Sequence, residues 1–431
     1  MCKSQWDNVC TQVNTCALTG AAAFFAGIPD AVMIVNGPLW CYFYALRHLE
    51  KSCTTVGTRF YCSQPDNNAV VYGTEDCLVD LLQFIRENSR PSVLLIENSC
   101  AIGLIGDDIA GIASQVKLPC PVICIDSGGL TGGYWEGYRA AAKAYLAMMP
   151  LLKRSIVQPR TVNLLGCTIG YYNAANDIRE LKRMLALAGY QVLACPGAGS
   201  STAEIAAMTQ AELNIVVHEE LGLDLAHRLH QDYGMPYLSL LPPYGLEGSL
   251  TWLKTIGQKL SIDKQSLQFV QHEVDNLERQ LRAATLEMLR IWGELCFEST
   301  LIAAPSSVAL GMVPAVCCEW VDTGPLTTVV HDGIPAYPLP NGIDMVLDGS
   351  SDNAAIEHQL AGLAGGLLLA SSNEKAILHQ QAVEDVVWQN IALPVYDEVL
   401  LTDRPFMGLR GAGHMTERLW NQYIACCQRW K

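Results

Sequence analysis

The sequence contains no C-x-x-C pair, no Walker phosphate loop and no complete G-x-G-x-x-G, the run Gly197-Ala198-Gly199 stopping short. The usual zinc-ribbon and thioredoxin readings fall away with the first, and nucleotide binding by a glycine-rich loop with the others. Charge is scarce, at 16% of residues, and what there is sums to −15. Nucleic acid calls for clustered Lys and Arg, so no nucleic-acid partner is expected. No apolar run reaches the roughly 18 to 20 residues of a membrane helix; the longest candidate, 21–28, stops at Pro29-Asp30. No membrane partner is therefore expected. MCKSQWDN has no basic segment leading into an apolar core, so a cytoplasmic protein is expected.

Hydrophobic residues make up 50% of the 431, enough for large cores and buried interfaces, and the length suggests two to three domains. The 17 cysteines are many. Disulfides concentrate in small secreted domains with little core, so reduced thiols are expected here. Cys167, Cys195 and the pairs Cys317-Cys318 and Cys426-Cys427 lie in apolar contexts and read as core thiols.

One stretch, 91–112, organises the chain. The apolar run Val93-Leu94-Leu95-Ile96 reads as a buried strand ending on Glu97-Asn98-Ser99, where Cys100 stands. Gly106-Asp107-Asp108 then reads as a turn and helix start. Chemistry in α/β proteins gathers at the carboxyl ends of strands. A thiol there, beside a helix N-terminus, is favoured as thiolate.

Strands and helices alternate from Ala31 onward, which predicts parallel sheets flanked by helices. Strands are expected at 31–35, 70–72, 93–96, 122–125, 161–165, 191–194, 213–217 and 237–241. Further strands are expected at 300–303, 326–330, 345–347, 366–369 and 393–396. Residues 53–68 read as loop or edge and 150–159 as a linker. Residues 264–298 have few turn formers and read as one long amphipathic helix. The expected division is 1–155, an α/β domain carrying the candidate cysteines; 156–262, a second α/β domain; 263–299, a bridging helix; and 300–431, a third α/β domain with a C-terminal helix.

Cys16, Cys41 and Cys100 have matching surroundings, two of them following strand ends. They could converge on one sheet edge and hold an iron–sulfur cluster with a partner chain, or be unrelated thiols. Ile34-Val35-Asn36-Gly37-Pro38-Leu39-Trp40-Cys41 resembles the first motif of the nitrogenase component 1 family. Asn98-Ser99-Cys100, followed after five residues by Gly106-Asp107-Asp108-Ile109, resembles the second. The spacings of 25 and 59 residues between the three cysteines are similar to those of that family's cluster ligands. Asn68 through Glu75 and Arg404 through Ala412 resemble two further motifs, so the likeness runs along essentially the whole chain.

The resemblance implies three doubly wound Rossmann-like domains with parallel sheets around a central cleft. It implies an oxidoreductase fed by an ATP-dependent iron–sulfur reductase (nitrogenase iron protein-like). The chain would act as a homodimer, or as a heterodimer or heterotetramer with a related component 1 chain. Cys16, Cys41 and Cys100 would bind the iron of an interface cluster, [4Fe-4S] or P-cluster-like, that passes electrons to a substrate in the cleft. Asn36 replaces a usual His, Trp40 a small residue, and Ser99 a usual Glu or Thr; none removes a ligand. The family's catalytic subunit holds its cofactor with one Cys and one His. Here His218 stands near the first position, and 394–408 contains no His, so no iron–molybdenum cofactor is expected. His218 is the candidate catalytic residue. Glu219 and Glu220 read as helix caps. A scaffold for metallocofactor assembly and a non-catalytic ligand-binding protein are the alternative readings.

Overall fold

Short continuous apolar runs become buried parallel strands, as sheets covered on both faces require. The structure is a computed structural model that describes residues 15–66, 69 and 73–428. The strand expected at 70–72, and most of the motif from Asn68 that contains it, lie outside the described residues.

The first sheet runs Phe60–Cys62, Ala31–Asn36, Val93–Asn98, Val122–Asp126. Every residue of its two central strands is buried. The second runs Gln191–Ala194, Gln158–Leu165, Ala211–Val216, Tyr237–Ser239. The third runs Met345–Asp348, Leu326–Val330, Thr300–Ala304, Leu367–Ala370, Val387–Asn390. All pairings within these three sheets are parallel. In each sheet the earliest strand lies inside, with later strands on either side. Each therefore has a topological switch point, where the connections diverge and a crevice opens at the strand ends.

Helix Ala17–Ala26 gives no periodic signal in the sequence, because ALTGAAAFFA has no polar face. All ten residues are buried, as expected of a helix that is apolar all round. It lies against helix Tyr134–Met148 with almost nothing between the backbones. A Cβ on Gly20 would sit 1.8 Å from the Tyr134 carbonyl oxygen, and one on Gly137 would sit 1.8 Å from that of Ala17. Phe24 and Phe25 pack edge-on against Tyr145, beyond the glycine contact.

Three boundaries differ from expectation. The long helix is Lys264–Ile291 rather than 264–298. Gly293, at φ +80°, turns the chain out, and Cys296–Phe297 pairs with Asp322–Thr323 instead. The strand expected at 393–396 is absent, and Val387–Asn390 takes the edge position beside Leu367–Ala370. Pro394 has no N–H to give a ladder. The second sheet's first strand begins at Gln158, inside the expected linker. Among the described residues no helix is long and apolar enough to cross a membrane.

Gly137→Val places a branched side chain where no Cβ fits. Overpacking of this kind costs about 1–3 kcal/mol. Urea unfolding should show a lowered midpoint, and a wild-type midpoint would contradict the close contact.

Candidate functional site

The first sheet's switch point lies between Ala31–Asn36 and Val93–Asn98, and a candidate cysteine follows each strand. Cys41 is on helix Leu39–Leu49, and Cys100 opens the six-residue helix Cys100–Ile105. Gly106, at φ +81°, ends that helix, and Asp108 caps the next, Ile109–Gln115, accepting from Gly111 N–H. Cys16 arrives from outside the sheet, as the residue before Ala17–Ala26. Ala17 N–H donates to Gly132 O at 3.0 Å, so the glycine contact between the two helices sets where Cys16 sits.

The loop after Val122–Asp126 closes the group. A Cβ on Gly129 would come 3.2 Å from Cys16 Cβ and 3.7 Å from Cys100 Sγ; one on Gly128 would meet the Cys100 backbone at 2.7 Å. These two glycines form a cradle in which a Cβ is excluded at Gly128 and tightly crowded at Gly129. Gly129 N–H donates to Cys100 Sγ at 2.9 Å. The donor that favours a negative sulfur is thus this loop amide; the helix behind Cys100 is only six residues long. Burial pushes the Cys41 thiol up, with the Cys16 and Cys100 sulfurs next in effect, so the three lie within one another's electrostatic reach.

Beneath the thiols a polar ladder crosses the carboxyl ends of the four strands. Ser63 Oγ donates to Asn36 Oδ1 (2.8 Å), Asn36 Nδ2 to Asn98 Oδ1 (3.0 Å), and Asn98 Nδ2 to Asp126 Oδ1 (2.9 Å). Asn36 Nδ2 also reaches Thr74 Oγ1, whose hydroxyl and backbone N–H both donate to Asp107 at 2.7 Å. Asp107 therefore ties the loop after Cys100 to helix Glu75–Asn88. Glu97 is fully buried, and burial holds its carboxyl well above the usual range. Sequence reasoning missed Cys62, which ends the edge strand, donates to Gly37 O (3.3 Å) and contributes to the field at Cys41. Its place directly before Ser63 was the available signal.

Among the described residues no three His, Cys, Asp or Glu side chains close on a single metal ion. An iron–sulfur cluster binds each thiolate through a different iron, and a glycine cradle, a backbone donor on one sulfur and three neighbouring thiols fit such a group.

The second and third switch points face the centre of the molecule. Cys167 and His218 follow the strands flanking the second; Pro305 and Ser371 follow those flanking the third. Cys167, His218, His48 and Asp177 help line a central cavity of about 40 Å³. Tyr134, Trp135, Tyr171, Tyr172 and Phe406 occupy the space around it. The centre expected to take a substrate is thus walled largely by aromatic rings.

His218 Nδ1 is 2.7 Å from Ser307 Oγ. Ser307 and Tyr171 hydroxyls both donate to Glu220 Oε1 at 2.8 Å, and Trp135 Nε1–H donates to Tyr171. Glu220 therefore anchors an internal network rather than capping its helix. Burial, with Asp332 nearby, pushes its carboxyl up to about 8. Burial pushes His218 down to about 3 and His48 down to about 4. Arg404 and Arg410 stay at the surface.

Asp177 accepts N–H groups from Phe406 (2.6 Å) and Met407 (3.0 Å), clamping the C-terminal segment over the cavity. Burial outweighs these bonds and pushes its pKa up to about 7, from 3.8. Between those values the folded state binds more protons than the unfolded chain, so stability falls as pH rises. Asp177→Asn keeps an acceptor for both N–H groups and removes the titration. Urea midpoints measured from about pH 5 to pH 8 should fall less steeply in the variant than in wild type; equal slopes would contradict the assignment.

Comparison with known proteins gives a consistent picture. The model of the family described as nitrogenase component 1 type oxidoreductase matches residues 16–424. The nitrogenase iron-molybdenum cofactor biosynthesis protein NifE of Clostridium pasteurianum is 28% identical over 273 residues, 62% of this chain and 59% of that protein. A component chain of the light-independent protochlorophyllide reductase of Methylocella silvestris is 30% identical over 189 residues, 42% of this chain and 36% of that protein. The matched region thus spans less than two thirds of either relative. A solved structure of nitrogenase Cp1 at pH 5 superposes with a TM-score of 0.76 at 18% identity, covering 97% of this chain and 91% of that one.

Proposed function

The chain belongs to the nitrogenase component 1 type oxidoreductase family, and on that premise we propose that it is the cluster-carrying subunit of a component 1-type assembly. Cys16, Cys41 and Cys100 are the ligands, converging at the first switch point with Gly128 and Gly129 against them. That convergence is the observation that carries the reading. The group held is an iron–sulfur cluster, [4Fe-4S] or P-cluster-like, and when bound it supplies one-electron transfer. The chain's own part is to fix the three sulfurs, to donate Gly129 N–H to one of them, and to keep the Asn36–Asn98 ladder rigid underneath. Hydrogen bonds to ligand sulfur tune a cluster's potential.

Electrons are proposed to come from an ATP-dependent iron–sulfur reductase. The other side of the cluster is proposed to be completed by a second component 1 chain, a copy or a relative. Exposed apolar side chains on the ligand-bearing elements support this: Trp40 and Tyr44 beside Cys41, Leu104 beside Cys100, and Leu130 beside Gly129. Exposed apolar groups collected around one site mark an interaction surface. No iron–molybdenum cofactor is proposed in the central cavity, because His218 stands where the family's catalytic subunit has a Cys and 394–408 contains no His. His218 is proposed to act as a neutral imidazole that orders Ser307 and Glu220 on the cavity wall.

A scaffold role in metallocofactor assembly is the second reading, favoured by the NifE relative. It predicts iron beyond four per chain that leaves with an acceptor protein.

Anaerobic purification with iron and sulfide analysis and electron paramagnetic resonance tests the assignment. Wild type should be brown and carry acid-labile sulfide. Cys100→Ala should lose most of its iron and change the reduced-state signal while keeping wild-type secondary structure by circular dichroism. A full complement of iron and an unchanged signal in Cys100→Ala would overturn the ligand set.

A further inference from the structure

Helix Lys264–Ile291 carries an apolar seam longer than the surface that covers it. Val270, Val274, Leu277, Leu281, Ala284, Met288 and Ile291 recur at alternating steps of four and three, the spacing that lets one helix pack along another. Val270 and Val274 are buried. Helix Gly408–Gln428 meets the seam where a Cβ on Gly413 would come 3.1 Å from Leu277 Cδ1. Beyond that contact a groove of about 710 Å³ separates the two helices, walled on the second side by Leu409, Trp420 and Ile424. Ala284 and Ile291 stay exposed along it.

The end of the groove near the helix contact is charged, and its charges do not balance. Asp403 is held by Arg179 at 2.5 Å, and Glu273 by Arg183 at 2.6 Å. Arg410 lies 3.9 Å from Glu180, a carboxylate that Arg183 already holds at 2.7 Å. Arg404 makes no ion pair among the described residues, while Asn173 Nδ2 donates to its carbonyl at 2.9 Å and fixes its backbone. The other two carboxylates of the groove, Glu287 and Glu417, are exposed and lie beyond the contact. One wall residue is also unsatisfied. His414 is 7% exposed and stacks on Phe406 with the ring planes 13° apart, yet its Nε2 has no partner. Buried polar atoms are nearly always bonded, so a lone one in a groove wall marks a missing contact. Burial, with Arg418 and Arg404 nearby, pushes this imidazole down to about 4, so near pH 7 it is neutral.

Ligand pockets commonly enclose about 300–1,000 Å³ and combine an apolar lining with a few polar groups. A partner helix is about 10–12 Å across with its side chains and would need the walls apart throughout, whereas they touch at Leu277 and Gly413. We propose that this groove binds an amphipathic carboxylate, its acid group against the Arg404 guanidinium and its apolar body between the two helices. Arginine grips a carboxylate through parallel N–H donors. The apolar body covers seam residues that otherwise meet water, and the acid group supplies the partner that His414 lacks. The groove shares no residue with the thiol edge, so the site does not depend on a cluster.

The purified protein is titrated with 1-pyrenebutyrate and, separately, with the neutral 1-pyrenebutanol, and binding is read as energy transfer from tryptophan to pyrene; Trp292 and Trp420 both line the groove. Saturable one-to-one binding of the acid is expected, with the alcohol about tenfold weaker. Arg404→Gln, at an exposed position, should weaken the acid about tenfold and leave the alcohol unchanged, a difference that misfolding does not produce. Ala284→Trp, which fills the groove, should abolish binding of both. Dodecanoate is expected to displace the probe if chain acids are the occupants, and 2-naphthoate if ring acids are; displacement by neither would overturn the proposal. Equal affinity for acid and alcohol, or acid binding unchanged in both variants, would also overturn it. So would a wild type that binds no acid but is a dimer that Ala284→Trp splits on size exclusion, an outcome that assigns the groove to a second copy of the chain.

Discussion

The thiol edge depends on how closely two helices approach. Helix Ala17–Ala26 touches Tyr134–Met148 backbone to backbone, and it does so only because Gly20 and Gly137 carry no side chains. A gap of one methyl group there would lift the start of the first helix, and Cys16 with it, away from Gly129. Cys41 and Cys100 are placed by the sheet; Cys16 is placed by this contact and by the backbone bridge to Gly133 beside it. The absence of charge along 17–26 follows from the same constraint, since every residue of the helix is enclosed.

Each of the three sheets brings its switch point to bear, with different chemistry. The first opens toward the surface and presents thiols over a ladder of neutral amides. The other two face inward and meet around a cavity walled by aromatic rings, with His218 and Glu220 on opposite ends of the Ser307 hydroxyl. Burial moves both kinds of group toward their uncharged forms there, pushing the imidazoles of His218 and His48 down and the carboxyls of Glu220 and Asp177 up.

The repeating βα order was legible in the sequence because buried parallel strands are short apolar runs punctuated by Gly, Asn, Asp and Ser. The resemblance carried by the segments around Cys41 and Cys100 extended that reading to three sheets around a centre, and the fold agrees. Failures came where local signals conflict with tertiary need. Val387–Asn390 mixes Trp, Gln and Asn and reads as less strand-like than the more apolar 393–396, yet Gln389 and Asn390 are buried there because Arg418, Asp397 and Glu398 hydrogen-bond their amides. The end of the long helix rested on one glycine, Gly293. At the site, spacing pointed to Cys16, Cys41 and Cys100, while the role of Gly129 N–H depends on loops from separate strands meeting in space. No periodicity records such a meeting.

The central claim is that the first switch point holds an iron–sulfur cluster through thiolates. Mössbauer spectroscopy of the wild-type protein, produced with iron-57 and kept free of oxygen, tests it most directly. The account predicts that the iron appears as the averaged-valence pairs of a sulfur-bridged, tetrahedrally ligated cluster. Iron confined to high-spin ferrous sites with nitrogen and oxygen ligands would contradict it.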